Sequence, residues 1–156
     1  MHAYSELYLE GAMNTLGFML EYAVHDVGLT ARDAFDRFIS SGIASCFEKG
    51  NSTYTVGRSG AEIIEEAIMN TDKSWVFVEP QFRPDRTPEF WAGWALAYVQ
   101  WELGCTFREI LDVIPIEKVI EAYNPYHEMD VKQFSDYVVE RMISNRRILT
   151  MPKLPI

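Results

Sequence analysis

Apolar residues recur along this chain at three- and four-residue steps, the period of a helix that buries one face. Leu9, Met13, Leu16, Leu20, Ala23, Val24 and Val27 trace such a face across residues 5–27. Ser5 stands where a cap is needed and Gly28 where a helix stops. Gly11 and Gly17 lie inside this stretch at about 1 kcal/mol each relative to alanine, which points to the close approach of another helix. Phe35, Phe38 and Ile39 form the next face, opened by Thr30 and Asp33 at capping-box spacing and interrupted by Ser40-Ser41-Gly42. Ile43, Ala44 and Phe47 mark a short helix that runs to Gly50. Further boxes at Ser59/Glu62 and Thr106/Glu109 open helices carrying Ile63, Ile64, Ala67 and Ile68, and then Phe107, Ile110 and Leu111. Asn70-Thr71-Asp72 closes the first of these. Pro115 starts a short helix through Val119 and Ile120 to Tyr123, and Asn124-Pro125 breaks it. The pair Asp130/Gln133 opens a last helix with Val131, Phe134, Val138 and Met142 in register, and Arg146 and Arg147 near its end suit the helix dipole.

One stretch departs from this one-faced pattern. Residues 88–103 hold only Glu89, Gln100 and Glu102 as strongly polar positions, with Trp91, Trp94 and Trp101 among the rest. Thr87 and Pro88 are a cap followed by a proline at the first helical position, and Gly104 is a stop. A helix apolar on nearly every side must be covered on nearly every side. At 1.5 Å per residue it is about 25 Å long, short for a membrane span, and its carboxylates count against one. The expected fold is therefore all-α: a single-domain orthogonal multi-helix bundle of about seven helices around a central hydrophobic helix at 88–103. Residues 1–150 form one helical domain, and 151–156, with Pro152 and Pro155, a non-helical C-terminal tail.

Two segments lack the helical period. Residues 51–58 are a turn-rich connector with room for a brief extended piece at Tyr54-Thr55-Val56. Residues 72–87 contain Trp75-Val76-Phe77-Val78, a short strand pattern without a convincing partner strand, and then Pro80, Phe82, Arg83, Pro84, Asp85 and Arg86. This segment is expected to be a long loop packed by its own aromatics.

Composition narrows the chemistry. With 156 residues, 48% hydrophobic, 24% charged and 13% aromatic, the chain has enough apolar surface for a self-sufficient core. Its net charge of −9 argues against non-specific binding to a nucleic acid backbone and suits steering towards a basic partner. Cys46 and Cys105 show no CxxC pattern and read as thiols of a reducing compartment, and the N-terminus lacks a basic region followed by an apolar run, so a cytoplasmic protein is expected. His25-Asp26 and His127-Glu128 with Asp130 lack the two-histidine i,i+4 spacing of a zinc helix, so no metal and no cofactor are assigned. His127 reads as a loop histidine bonded to a backbone carbonyl. Cys105 follows Gly104 at a helix boundary, where the dipole at the start of the following helix would depress a thiol pKa, and an enzyme site near Cys105, His127 and Glu128 is one alternative. Gly57-Arg58-Ser59-Gly60 resembles a phosphate nest, but Ser59 caps there and the glycines turn the chain. The carboxylates Glu62, Glu65, Glu66, Glu117 and Glu121 lie on solvated helix faces. A helix-turn-helix at 30–50 is the other alternative, as a DNA-binding regulator; its second helix, Ile43 to Lys49, carries one basic residue and two large apolar ones, poor equipment for reading bases.

The 72–87 loop combines aromatics with arginine, the composition of a binding patch on the kind of segment that carries function. Trp75, Phe77, Phe82, Arg83 and Arg86 are the candidate partner-binding residues, and no catalytic residue is assigned.

Several runs carry a family likeness: Phe38-Ile39-Ser40-Ser41-Gly42-Ile43-Ala44, Phe47-Glu48-Lys49-Gly50-Asn51, Pro88 through Tyr98 with Gln100-Trp101, Phe107-x-Glu109-Ile110, and Tyr126-His127-Glu128-x-Asp130. In these the chain resembles an uncharacterised family of small helical proteins from gut Firmicutes, over nearly its whole length. Members of that family are often encoded beside small toxin-like proteins, some resembling ADP-ribosyltransferases. The resemblance implies an accessory or antitoxin-like role and carries no catalytic or binding residue. Together these readings give a non-enzymatic, acidic protein–protein interaction module, an antitoxin or immunity-like partner that occludes a toxin encoded nearby.

Overall fold

A computed structural model describes the backbone of residues 1–150 and the side chains of residues 1–146, and every regular element among the described residues is helical. Ser5 caps a 3-10 turn, Glu6–Tyr8, which runs into α1 (Leu9–Tyr22). α1 widens into a π-helical turn, Ala23–Val27, that Gly28 ends at φ 88°. α2 (Ala31–Ser40) and α3 (Ile43–Glu48) flank Gly42 at φ 89°. A second π turn, Thr53–Gly57, precedes α4 (Gly60–Met69). Beyond the irregular segment come α5 (Pro88–Leu103), α6 (Phe107–Val113), α7 (Ile116–Glu121), α8 (Tyr123–Tyr126) and α9 (Val131–Thr150). The protein is all-α, divided into more segments than the seven or so expected. Asn124 and Pro125 sit inside one-turn α8 rather than breaking the chain there. Proline fits because first-turn N–H groups have no intrahelical partner to lose. The extended piece expected at Tyr54-Thr55-Val56 is the second π turn, held by the Thr15 hydroxyl donating to the Thr55 carbonyl and the Thr55 hydroxyl donating to that of Asn51. Trp75 to Val78 is not a strand. The tail 151–156 lies outside the described residues.

The caps explain why segments start where they do. Ser59/Glu62 and Thr106/Glu109 close both halves of their capping boxes. Thr30 accepts from the Asp33 N–H, but the Asp33 carboxylate turns to Arg37 instead of returning to Thr30. Thr87 accepts from the Phe90 N–H, and Gly104 stops α5 at φ 66°. Asp130 accepts from the Lys132 N–H at the start of α9.

α1 and α5 cross at glycine. A Cβ added at Gly93 would lie 2.4 Å from the Leu16 carbonyl oxygen, and one at Gly17 would lie 2.8 Å from the Phe90 ring. Without side chains at these two positions the backbones approach closely, and Leu16, Leu20, Ala92, Leu96 and Val99 bury completely beside them. Trp91 and Trp101 are buried and Trp94 half-buried, so the central helix is covered as its composition requires. Phe35, Phe38, Phe47 and Phe107 join α2, α3 and α6 through ring pairs 5.7–6.0 Å apart. No described helix is long and apolar enough to cross a membrane.

This packing brings the C-terminal end of α1, the N-terminal turn of α4 and the N-terminal turn of α5 to one side of the molecule, where the 72–87 segment lies.

Candidate docking site

The 72–87 segment is anchored by side chains from the end of α1. The Tyr22 hydroxyl donates to the Val78 carbonyl, and the Tyr22 ring stacks on Phe77 with centroids 6.3 Å apart. Asp26, on the π turn, receives both Arg83 amino groups, at 2.6 and 3.2 Å, and the Gln81 N–H at 3.4 Å. Its side chain is only 2% exposed. The Arg83 guanidinium holds the Asp26 carboxyl below its ordinary range, against the opposing effect of burial, and Asp26 in turn raises Arg83. The π turn matters locally: one wider turn re-aims the residues that follow it. It presents His25 to Glu89 at 2.9 Å, on the first turn of α5, while Asp26 faces the loop.

Between the end of α1, the start of α4 and residues 80–86 lies a cleft of about 610 Å3. Phe18, Tyr22, Pro80 and Phe82 give it apolar walls; Asn14, Thr15, Glu21 and Asp26 add polar groups. That size and that mixture are ordinary for a ligand or side-chain pocket. Ser59, Gly60 and Ala61 complete it. Gly60 does not turn the chain, since its φ is not positive; a Cβ there would lie 2.2 Å from the Met19 backbone nitrogen. Its role is to let α4 reach the backbone of α1.

Of the five candidate residues, three line the cleft: Phe82, Arg83 and Arg86. Phe82 is 90% exposed and Phe77 46% exposed. Arg83 is engaged with Asp26, and the Arg86 guanidinium stacks over the rings of Phe18 and Phe90, 4.6 and 4.4 Å from their centroids. Trp75 packs half-buried on the core and meets Phe77 edge-on. The loop is thus packed partly by its own aromatics, with Phe82 left outside.

The other candidate positions lie elsewhere. His127 stacks on Tyr123 and bonds the Tyr123 carbonyl through Nδ1, as a loop histidine would, and Glu128 is exposed beside it. Cys105 is half-buried, and burial pushes its thiol up to about 11, opposite to the depression expected from the helix dipole. No hydrogen bond or ion pair among the described residues joins Cys105 to His127 or Glu128. In the 30–50 segment, α3 turns Ile43, Ala44 and Phe47 into the core, and the Glu48 carboxylate accepts from the Phe107 N–H at 2.7 Å. Arg58 pairs with Glu66, which also accepts from Tyr54, so Glu66 is less solvated than its sequence position implies. Glu117 pairs with Arg32 at 2.8 Å on the surface.

Glu21 went unnoticed in sequence. It is 4% exposed, lines the cleft, and its Oε1 has no hydrogen-bond partner. Its only sequence signal is a polar residue next to the buried face traced by Leu20 and Ala23. No family model, no curated protein and no solved structure matches the chain.

Proposed function

We propose that this protein is a non-enzymatic interaction module that docks another protein on the 77–86 loop and the cleft beside it. The observation that carries this is Phe82: a 90% exposed aromatic ring on a segment tied down at Val78 and Arg83. A large apolar side chain held outside on an anchored segment, next to an apolar cleft, suits a hot spot that loses little conformational freedom on binding. Phe77 and Phe82 are the anchors in this reading. Arg83 and Arg86 shape the loop, the first through Asp26 and the second through Phe18 and Phe90. The net charge of −9 favours a basic partner by steering. The resemblance to proteins encoded beside toxin-like neighbours supports a toxin as that partner, bound and occluded in the cytoplasm in this reading.

The test is co-purification with the product of the adjacent gene, for the native chain and for Phe77→Ala/Phe82→Ala. The expected result is a stable complex with the native chain and one weakened at least tenfold, about 1.4 kcal/mol, in the double variant. A complex that the double variant leaves intact would move the docking surface elsewhere, and no complex at micromolar concentration would sink the interaction reading.

A further inference from the structure

The cleft wall holds a buried carboxylate oxygen that no hydrogen bond in the fold satisfies. Glu21 is buried, and its Oε1 has no hydrogen-bond partner. Taking a carboxylate out of water without a partner is expensive, and such a group persists where something outside the chain completes it. The two cations lining the cleft are committed elsewhere. Arg83 donates to Asp26 and to the Gln81 carbonyl and meets Glu21 only through space; Arg86 lies over Phe18 and Phe90. A cation that carries several N–H donors would supply both a hydrogen bond and a counter-charge. Phe18, Tyr22 and Phe82 line the same cleft as Glu21, so an apolar stem on that cation would find apolar wall to cover.

We propose that the cleft receives an arginine side chain of the partner protein, with Glu21 as its counter-ion and Phe18, Tyr22 and Phe82 against its stem. This rests on the docking role proposed above and specifies its chemistry. A guanidinium forks onto a carboxylate with two parallel N–H donors, is more weakly hydrated than an ammonium, and stacks on aromatic faces. Its methylenes cover apolar wall while the head reaches the charge. An acidic protein steering a basic partner brings such a side chain to the cleft in quantity.

The experiment is an amide-resolved NMR titration of the full chain with three probes: acetyl-Leu-Arg-Leu-amide, its citrulline counterpart, and n-propylguanidinium. Citrulline keeps the length and most of the hydrogen bonding and removes the charge. The expected result is that the arginine peptide shifts the amides of Glu21, Tyr22, Gly60 and Ala61 and binds about tenfold more tightly than the citrulline peptide. Glu21→Gln erases that preference, and Glu21→Asp retains part of it. The native-chain comparison of the two peptides stands even if a Glu21 variant folds poorly. Equal binding of the two peptides, a preference that survives Glu21→Gln, or no shift at millimolar peptide would each overturn the proposal. Propylguanidinium binding as tightly as the arginine peptide would overturn the peptide source in favour of a free organic cation. The two layers fail separately. Equal binding of both peptides, weakened in each case by Phe82→Ala, sinks the arginine assignment and leaves the docking surface. An arginine preference with no co-purifying partner sinks the docking role and leaves the cleft chemistry.

Discussion

α1 has two sides that follow opposite rules. Where it crosses α5, contact is dry and close: Gly17 and Gly93 bring backbone to backbone, and Leu16, Leu20 and Leu96 are fully buried. Where its last turns meet the 72–87 segment, contact is looser and incomplete: two side-chain anchors, a cleft, an exposed phenylalanine and a carboxylate oxygen without a partner. The first side has no room to vary, because interiors close-pack and backbone atoms cannot step aside. The second is held at a few points, and such regions open at low free energy and are where binding surfaces are drawn from. The same fourteen-residue helix thus fixes the fold on one side and offers a surface on the other.

The sharpest way to break this contrast is Gly93→Ala. On an open helix the change gains about 1 kcal/mol of propensity. At the crossing, the new methyl meets the Leu16 carbonyl at 2.4 Å, and we expect a net loss of roughly 2 kcal/mol or more by chemical denaturation. A neutral result would mean that the crossing is loose.

Asp26→Asn comes next. It leaves Arg83 without its counter-charge, and charge-assisted hydrogen bonds of this kind are worth about 1.5–3 kcal/mol. We expect roughly 2 kcal/mol of loss, expressed locally: amide exchange should accelerate across residues 76–86 while α5 stays protected. Equal acceleration in α5 would show that the loop and the core are one cooperative unit.

Acid should act on the same pair more gently. Arg83 keeps the folded Asp26 carboxyl below its ordinary value. The folded state therefore binds fewer protons at this site than the unfolded one. The stabilisation is complete above the ordinary carboxylate value, about 3.9, and fades as pH falls through the lower folded value. Trp75 fluorescence, followed through that window, should change in the native chain and not in Asp26→Asn.

The smallest effect on stability belongs to Phe82→Ala. An exposed ring contributes little to folding, and the change should stay within about 0.5 kcal/mol. Its effect is expected on partner capture alone. A loss well above that figure would mean that Phe82 is packed in solution and would remove the chief support for a docking role.

How much of this was legible follows from the range of each interaction. Thr87-Pro88 and Gly104 bound α5 because caps and stops act within four residues, and the same holds for Ser59/Glu62 and Thr106/Glu109. Gly11 and Gly17 were readable as contact points, and Val56 and Phe90 are what they meet. Phe82 was readable as a candidate because an aromatic in an irregular segment has no periodic face to join. The partner of Arg83 was not readable, since Asp26 lies 57 positions away in sequence. Gly60 looked like a turn residue because it neighbours a cap, and only the nearness of Met19 shows its use. The rise of the Cys105 thiol was missed for a similar reason: the dipole of α6 is a local feature, and burial by packed helices is not.

What the sequence determined by itself is the all-helical class, the ends of the capped helices and the need to cover 88–103, because periodicity, caps and composition are local and additive. What only the tertiary structure decided is which side of α1 is closed and which is open. That choice depends on where a π turn aims Asp26, on how near Gly60 lets α4 approach, and on Glu21 being enclosed with no partner for its Oε1. Each of these is a distance between residues remote in sequence, fixed when the helices pack.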